Sequence, residues 1–158
     1  MYLSGPSLVF VATGIIGAII SFSIAGAPAA AAVNQSSATI WAELYKRGAA
    51  SMPKFAVGTS LAYIFAAYGA YGSKGPWASD LGAAGCVLSI VPFTLTVMKD
   101  VNGSLHEEAG REASEETQVP KVRVKGLLDR WITLNLVRGL LPFAGTALGC
   151  FAFYHDGF

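Results

Sequence analysis

No charged residue precedes Glu43. This feature excludes most water-soluble folds, because an uncharged run of that length has little to offer water. Its apolar part, Ser7 to Val33, exceeds the roughly 20 residues that a helix needs to cross a bilayer. In lipid the backbone must satisfy its own hydrogen bonds, so such a run is helical. Three further apolar stretches follow, at residues 55–71, 81–98 and 127–154. Only 13% of the chain is charged, about half the share in a soluble domain, and the charges fall mainly between the stretches. The expected fold is all-α: a polytopic membrane protein whose residues 1–158 form a single four-helix transmembrane bundle. The "AGAPAAAA" segment resembles a signal-cleavage site. However, no basic residue precedes it and the apolar run exceeds the roughly 7–15 residues of a signal core, so the segment reads as a retained helix.

Local signals place the boundaries. Pro53 suits the start of the second span, Gly72 its end, and Ser79 or Asp80 a cap for the third. Pro92 and Pro142 fall inside spans three and four, where each removes a hydrogen bond and should kink its helix. Gly145 and Gly149 form a GxxxG that permits close helix contact and leaves a homo-oligomer open. Lys46, Arg47 and Lys54 lie in the first loop; Lys99, Arg111, Lys121, Arg123, Lys125 and Arg130 lie in or beside the third; Lys74 stands alone on the opposite side. The positive-inside rule therefore makes loops 34–54 and 99–126 cytosolic, in the endoplasmic reticulum or a related endomembrane. Within the acidic run after span three, Glu107 and Arg111 have the spacing of a solvated helical ion pair, and Pro120 would end that helix. "KVRVK" reads as a solvated connector with weak affinity for lipid phosphate. A net charge of +1 gives no footprint for nucleic acid. Cys86 and Cys150 form no metal-ligand spacing. They read as small packing thiols, with a disulfide as the alternative.

The fourth apolar stretch contains Trp131, Asn135 and Arg138, which share one helical face. Arg138 lies roughly 10 Å inside from Trp131. It could snorkel to the interface, but Asn135 on the same face gains nothing from that. A polar group at this depth points to a bundle interior or a cavity. Thr94, Thr96 and Asn102 belong to the same end of span three, and Trp41 and Tyr45, one turn apart, precede span two. Trp41 and Tyr45 read equally well as an interfacial anchor or as walls of a pocket. Such a pocket, with aromatic walls, amides and one guanidinium, suits a flat phenolic ligand. His106 is four residues beyond Asn102 and is the available proton acceptor on that side. No second ligand accompanies it, so metal or haem at His106 is an alternative without support from spacing.

Four segments carry a resemblance: "GAIISFSIAGAPA", "WAELYKRG", "VPFTLTVMKDVNGSL" and "RWITLNLVRGLLPFAG". Together they resemble the anthrone-oxygenase-like family of small four-span membrane proteins, many from fungal polyketide pathways. The resemblance implies oxidation of a polyketide anthrone to its anthraquinone by O₂, with no cofactor. Under that reading Arg138 and Asn135 bind the ketone oxygen as it becomes negative. His106 is the base, directly or through water, in the cytosolic half. Trp131, Asn102, Trp41, Tyr45 and Thr94 hold the substrate. Two rivals stay open: a non-catalytic tetraspan scaffold or small-molecule carrier, in which Asn135 and Arg138 only lock helices, and a metal- or haem-dependent oxidase using His106.

Overall fold

The computed structural model describes residues 5–33, 36–114 and 121–156. They form α1 (Gly5–Ser21), a π-helical turn (Phe22–Gly26), α2 (Ala27–Ala32), α3 (Ser37–Gly72), α4 (Trp77–Leu88), α5 (Ile90–Thr96), α6 (Lys99–Ala113) and α7 (Lys121–Asp156). No strand occurs among the described residues, and the all-α class is as expected. Helix α7 packs against α1 and α4, α3 packs against α4, and α1 closes the ring on α3. Among the described residues, three segments are long and apolar enough to cross a membrane: Val11–Ala32, Trp77–Thr96 and Lys121–His155. The C-terminal half of α3, which holds the expected second span, completes the ring.

Prolines shape the helices differently from the sequence reading. Pro53 does not start a helix. It lies inside α3, which runs unbroken from Ser37 to Gly72, so most of the expected 34–54 loop is helix and the Ala49 carbonyl loses its usual donor. Pro142 is likewise internal to a continuous α7. The break in the third span falls at Ser89, between α4 and α5. There Pro92 has no N–H for the Leu88 carbonyl, and the Ser89 hydroxyl donates to the Cys86 carbonyl at 2.6 Å. Pro28 cannot donate to the Ile24 carbonyl, and the turn before it widens so that the Ala27 N–H reaches Phe22 O, five residues back. Gly72 does end α3. Ser79 and Asp80 do not cap α4. The helix begins at Trp77 after Pro76, and no side chain caps it.

Residues 99–126 are more than a solvated connector. Helix α6 contacts α3 and α7, held by two acids one turn apart in its C-terminal half. The Glu112 carboxylate accepts from the Ala38 and Thr39 N–H groups at 3.2 and 2.9 Å, capping the start of α3, where the helix dipole favours an anion. Fully buried Glu108 meets Arg123 Nε at 2.9 Å at the start of α7. The expected Glu107–Arg111 pair forms at 2.6 Å and is exposed. Pro120 lies outside the described residues. The GxxxG glycines work within the chain. A Cβ on Gly145 would stand 3.0 Å from the Ala83 carbonyl, and one on Gly149 would be 2.3 Å from the Tyr63 hydroxyl. Cys86 and Cys150 are unbridged and partly buried.

Candidate active site

Helix α6 sets the site, because capping α3 at one end fixes Asn102 near the other. Asn102 is buried and accepts from Trp131 Nε1 at 3.0 Å, while its amide donates to the Tyr45 hydroxyl at 3.4 Å. One amide therefore ties α3, α6 and α7 together through their aromatic side chains. Trp41 stacks on Tyr45 with ring centroids 5.1 Å apart and meets Trp131 edge-on at 5.9 Å. The pairing of aromatic faces and edges follows the ring quadrupole.

One turn deeper, α7 presents Asn135 to the π-turn. Asn135 is fully buried. Its amide donates to the Ser23 hydroxyl at 2.7 Å and to the Ile19 carbonyl at 3.0 Å. Its carbonyl oxygen accepts a short hydrogen bond from Arg138 Nη2. Arg138 Nη1 donates to the Thr94 hydroxyl at 2.9 Å. These contacts pin the guanidinium from two sides by neutral oxygens. Its Nε is buried without a partner, and among the described residues Arg138 makes no ion pair. Arg138 lines a cavity as a cation with no counter-ion among the described residues.

That cavity holds about 250 Å³, near the small end of the range for small-molecule sites (roughly 300–1,000 Å³). Arg138, Thr94, Trp41, Tyr45 and Trp131 line it, so the structure brings five of the eight expected site residues to one space. Asn135 and Asn102 stand behind the lining and orient it. His106 is not brought to the cavity. It is exposed on α6, with its ring edge-on to Trp41 at 5.0 Å and to Tyr45 at 5.1 Å. Helix α6 continues through Gly103, but of the two polar residues one turn apart only Asn102 faces inward. Among the described residues no group of three His, Cys, Asp or Glu is placed to hold a metal.

Sequence reasoning missed the apolar remainder of the lining, including Phe22, Leu44, Met52, Val91 and Leu95. Their types carry no chemical signal. Only Pro28 hinted that the chain near Phe22 departs from a regular helix.

Residues 41–148 match the family model described as anthrone oxygenase. The chain belongs to the anthrone oxygenase family. It is 35% identical over 133 residues to an anthrone oxygenase of Aspergillus fumigatus, covering 72% of this chain and 67% of that protein. It is 30% identical over 139 residues to an anthrone oxygenase of Aspergillus terreus, covering 85% and 89%. A relative from Aspergillus flavus named noranthrone monooxygenase is 28% identical over 109 residues, covering 69% of this chain and 52% of that protein. No solved structure matches. The family match takes in all eight expected site residues, from Trp41 to Arg138.

Proposed function

We propose that this protein is an anthrone oxygenase that converts a polyketide anthrone to its anthraquinone with O₂ and without a cofactor. One observation carries the reading: the guanidinium of Arg138, unpaired with any described carboxylate, lines an aromatic-walled cavity of the size of a flat tricycle. A buried cation without a counter-ion is costly, and a ligand that becomes an anion offsets that cost.

The methylene opposite the anthrone ketone is acidic because its conjugate base is an aromatic oxyanion. Arg138, oriented by Asn135 and Thr94, stabilises that oxygen as charge develops. Trp41, Trp131 and Tyr45 hold the ring system. The carbanion transfers one electron to O₂, and recombination of the radical with superoxide forms a carbon–oxygen bond. Protonation gives the hydroperoxide, and loss of water leaves the second ketone. The sum is anthrone plus O₂ to anthraquinone plus water. Tyr45 is the lining hydroxyl that touches His106, and it relays the methylene proton outward. His106, against the outer edge of Tyr45, accepts it directly or through water.

The same reading makes the C-terminal half of α3 the fourth span and places the site in the cytosolic half of the membrane, in the endoplasmic reticulum or a related endomembrane. Anaerobic purification followed by emodin anthrone with and without O₂ tests the activity. We expect O₂-dependent quinone formation well above the spontaneous rate, without bound metal, and lost in Arg138→Gln. A rate equal to background in folded protein would reject the oxygenase reading in favour of a carrier or scaffold. His106→Ala separates the proton route: an unchanged rate across pH would remove His106 from it.

A further inference from the structure

Three residues lining the cavity are exposed: Ala49 and Pro53 on α3 and Leu95 on α5. They lie on the side of the cavity where α3 faces α5. Leu95 is 67% exposed, and Phe55 on α3 and Val97 just after α5 are 54% and 49% exposed. Helix α5 is the last part of Trp77–Thr96, a segment long and apolar enough to cross a membrane, so the opening lies at the end of that span, at the boundary between hydrocarbon and headgroups. The exposed bases Lys46, Arg47 and Lys54 stand along the same stretch of α3, as expected of residues at headgroup level. Both walls of the opening also carry a broken backbone ladder, at Pro53 in α3 and at Ser89 before α5. These are the places where a helix bends at least cost.

We propose that the cavity opens sideways toward lipid between α3 and α5, and that the anthrone is drawn from the bilayer with one of its two outer rings left in that opening, the ketone and the methylene both staying inside. The inference rests on the anthrone reading for the identity of the ring system. It adds the substrate class: anthrones bearing an apolar chain on one outer ring. Such a chain stays in hydrocarbon throughout binding, so its length costs nothing. If the opening faced water, every methylene pulled out of the bilayer would weaken binding about fourfold.

The test uses anthrones carrying hydrogen, a hexyl chain or a dodecyl chain on one outer ring, with the full-length protein in liposomes. We expect kcat/KM to vary by less than about threefold across the series, the spread expected when the chain remains in lipid. Leu95→Trp, which narrows the opening, should discriminate against the chain-bearing substrates, and Leu95→Ala should not. Rejection of the dodecyl substrate by wild type, with the unsubstituted anthrone still oxidised, would overturn the lateral opening alone. A second readout needs no turnover: the matching anthraquinone with a photoreactive diazirine on its chain. Saturable labelling of α3 near Ala49 and Pro53 and of α5 near Leu95 supports the opening even if anthrone oxidation fails. Saturable labelling confined to α6, or none, overturns it.

Discussion

The two cores of this bundle are built from opposite materials. At one end Ala12, Ile15, Ala56, Ala83, Ala84 and Val87 pack around a single large side chain, Tyr63. At the other, Trp41, Met98, Leu105, Leu128 and Trp131 gather beneath α6. Small residues let backbones approach until little space remains, and the glycines of α7 show how closely. Large planar rings cannot tile a helical interface without gaps, and the gap beside them is the cavity. The polar groups differ in number: Asn102, Asn135 and Arg138 form a hydrogen-bonded set around the cavity, with Trp41 Nε1 and Arg138 Nε buried and lacking a hydrogen-bond partner among the described residues, whereas the other end offers the Tyr63 hydroxyl and Thr59 Oγ1, which lack one too. One end is closed and stable, and the other is open and chemically prepared.

This contrast can be broken from either side. Arg138→Gln should lower kcat by about 100- to 1,000-fold, the usual effect of losing an oxyanion donor, with little change in thermal unfolding in detergent. An equal loss of stability and activity would make Arg138 a packing residue. Gly149→Ala should do the reverse, destabilising by about 1–3 kcal/mol through overpacking against Tyr63, measured by unfolding in denaturing detergent. Its turnover per folded molecule should match wild type. Asn135→Ala lies between the two classes. We expect a stability loss of about 1 kcal/mol, in line with interhelical polar contacts, together with about tenfold slower turnover because Arg138 loses its orienting oxygen. Trp131→Phe removes the hydrogen bond to Asn102 and should raise KM several-fold more than it lowers kcat, at a stability cost of about 1 kcal/mol. Tyr63→Phe is the mildest change. It deletes a hydroxyl with no hydrogen-bond partner among the described residues, so stability should change by less than about 0.5 kcal/mol or increase. A large loss would reveal a role for that hydroxyl.

The sequence made the helices and the polar face of α7 readable because membrane physics writes them in composition. Charge is excluded from spans, and an arginine inside one stands out. Trp131, Asn135 and Arg138 could be grouped by the helical repeat alone. Trp41 and Tyr45 could be paired with them only by supposing that loop and span ends converge, and the structure brings them together. A spacing of four puts His106 on the Asn102 face, and helix α6 lies over the aromatic cluster with that face only partly turned inward, so His106 meets the edges of Trp41 and Tyr45 rather than the cavity. Proline favours helix starts, so Pro53 reads as a boundary, yet α3 continues across it. Glu112 was illegible, since no local pattern says that an acid in a charged run will cap a helix 74 residues earlier.

The π-turn at Phe22–Gly26 gives the bundle an unusual sensitivity to length. It accommodates one residue more than an α-helix would use over the same rise, so the faces of α1 and α2 are out of step by that residue. Removing any one amino acid from this turn would restore a regular helix. It would also rotate the two segments relative to one another by about 100°. Ser23 and Ile19 could then no longer both meet Asn135 while Ala27 and Ala30 kept their places in the other core. The first helix therefore works as a vernier, with a single added unit aligning two scales that would otherwise never agree.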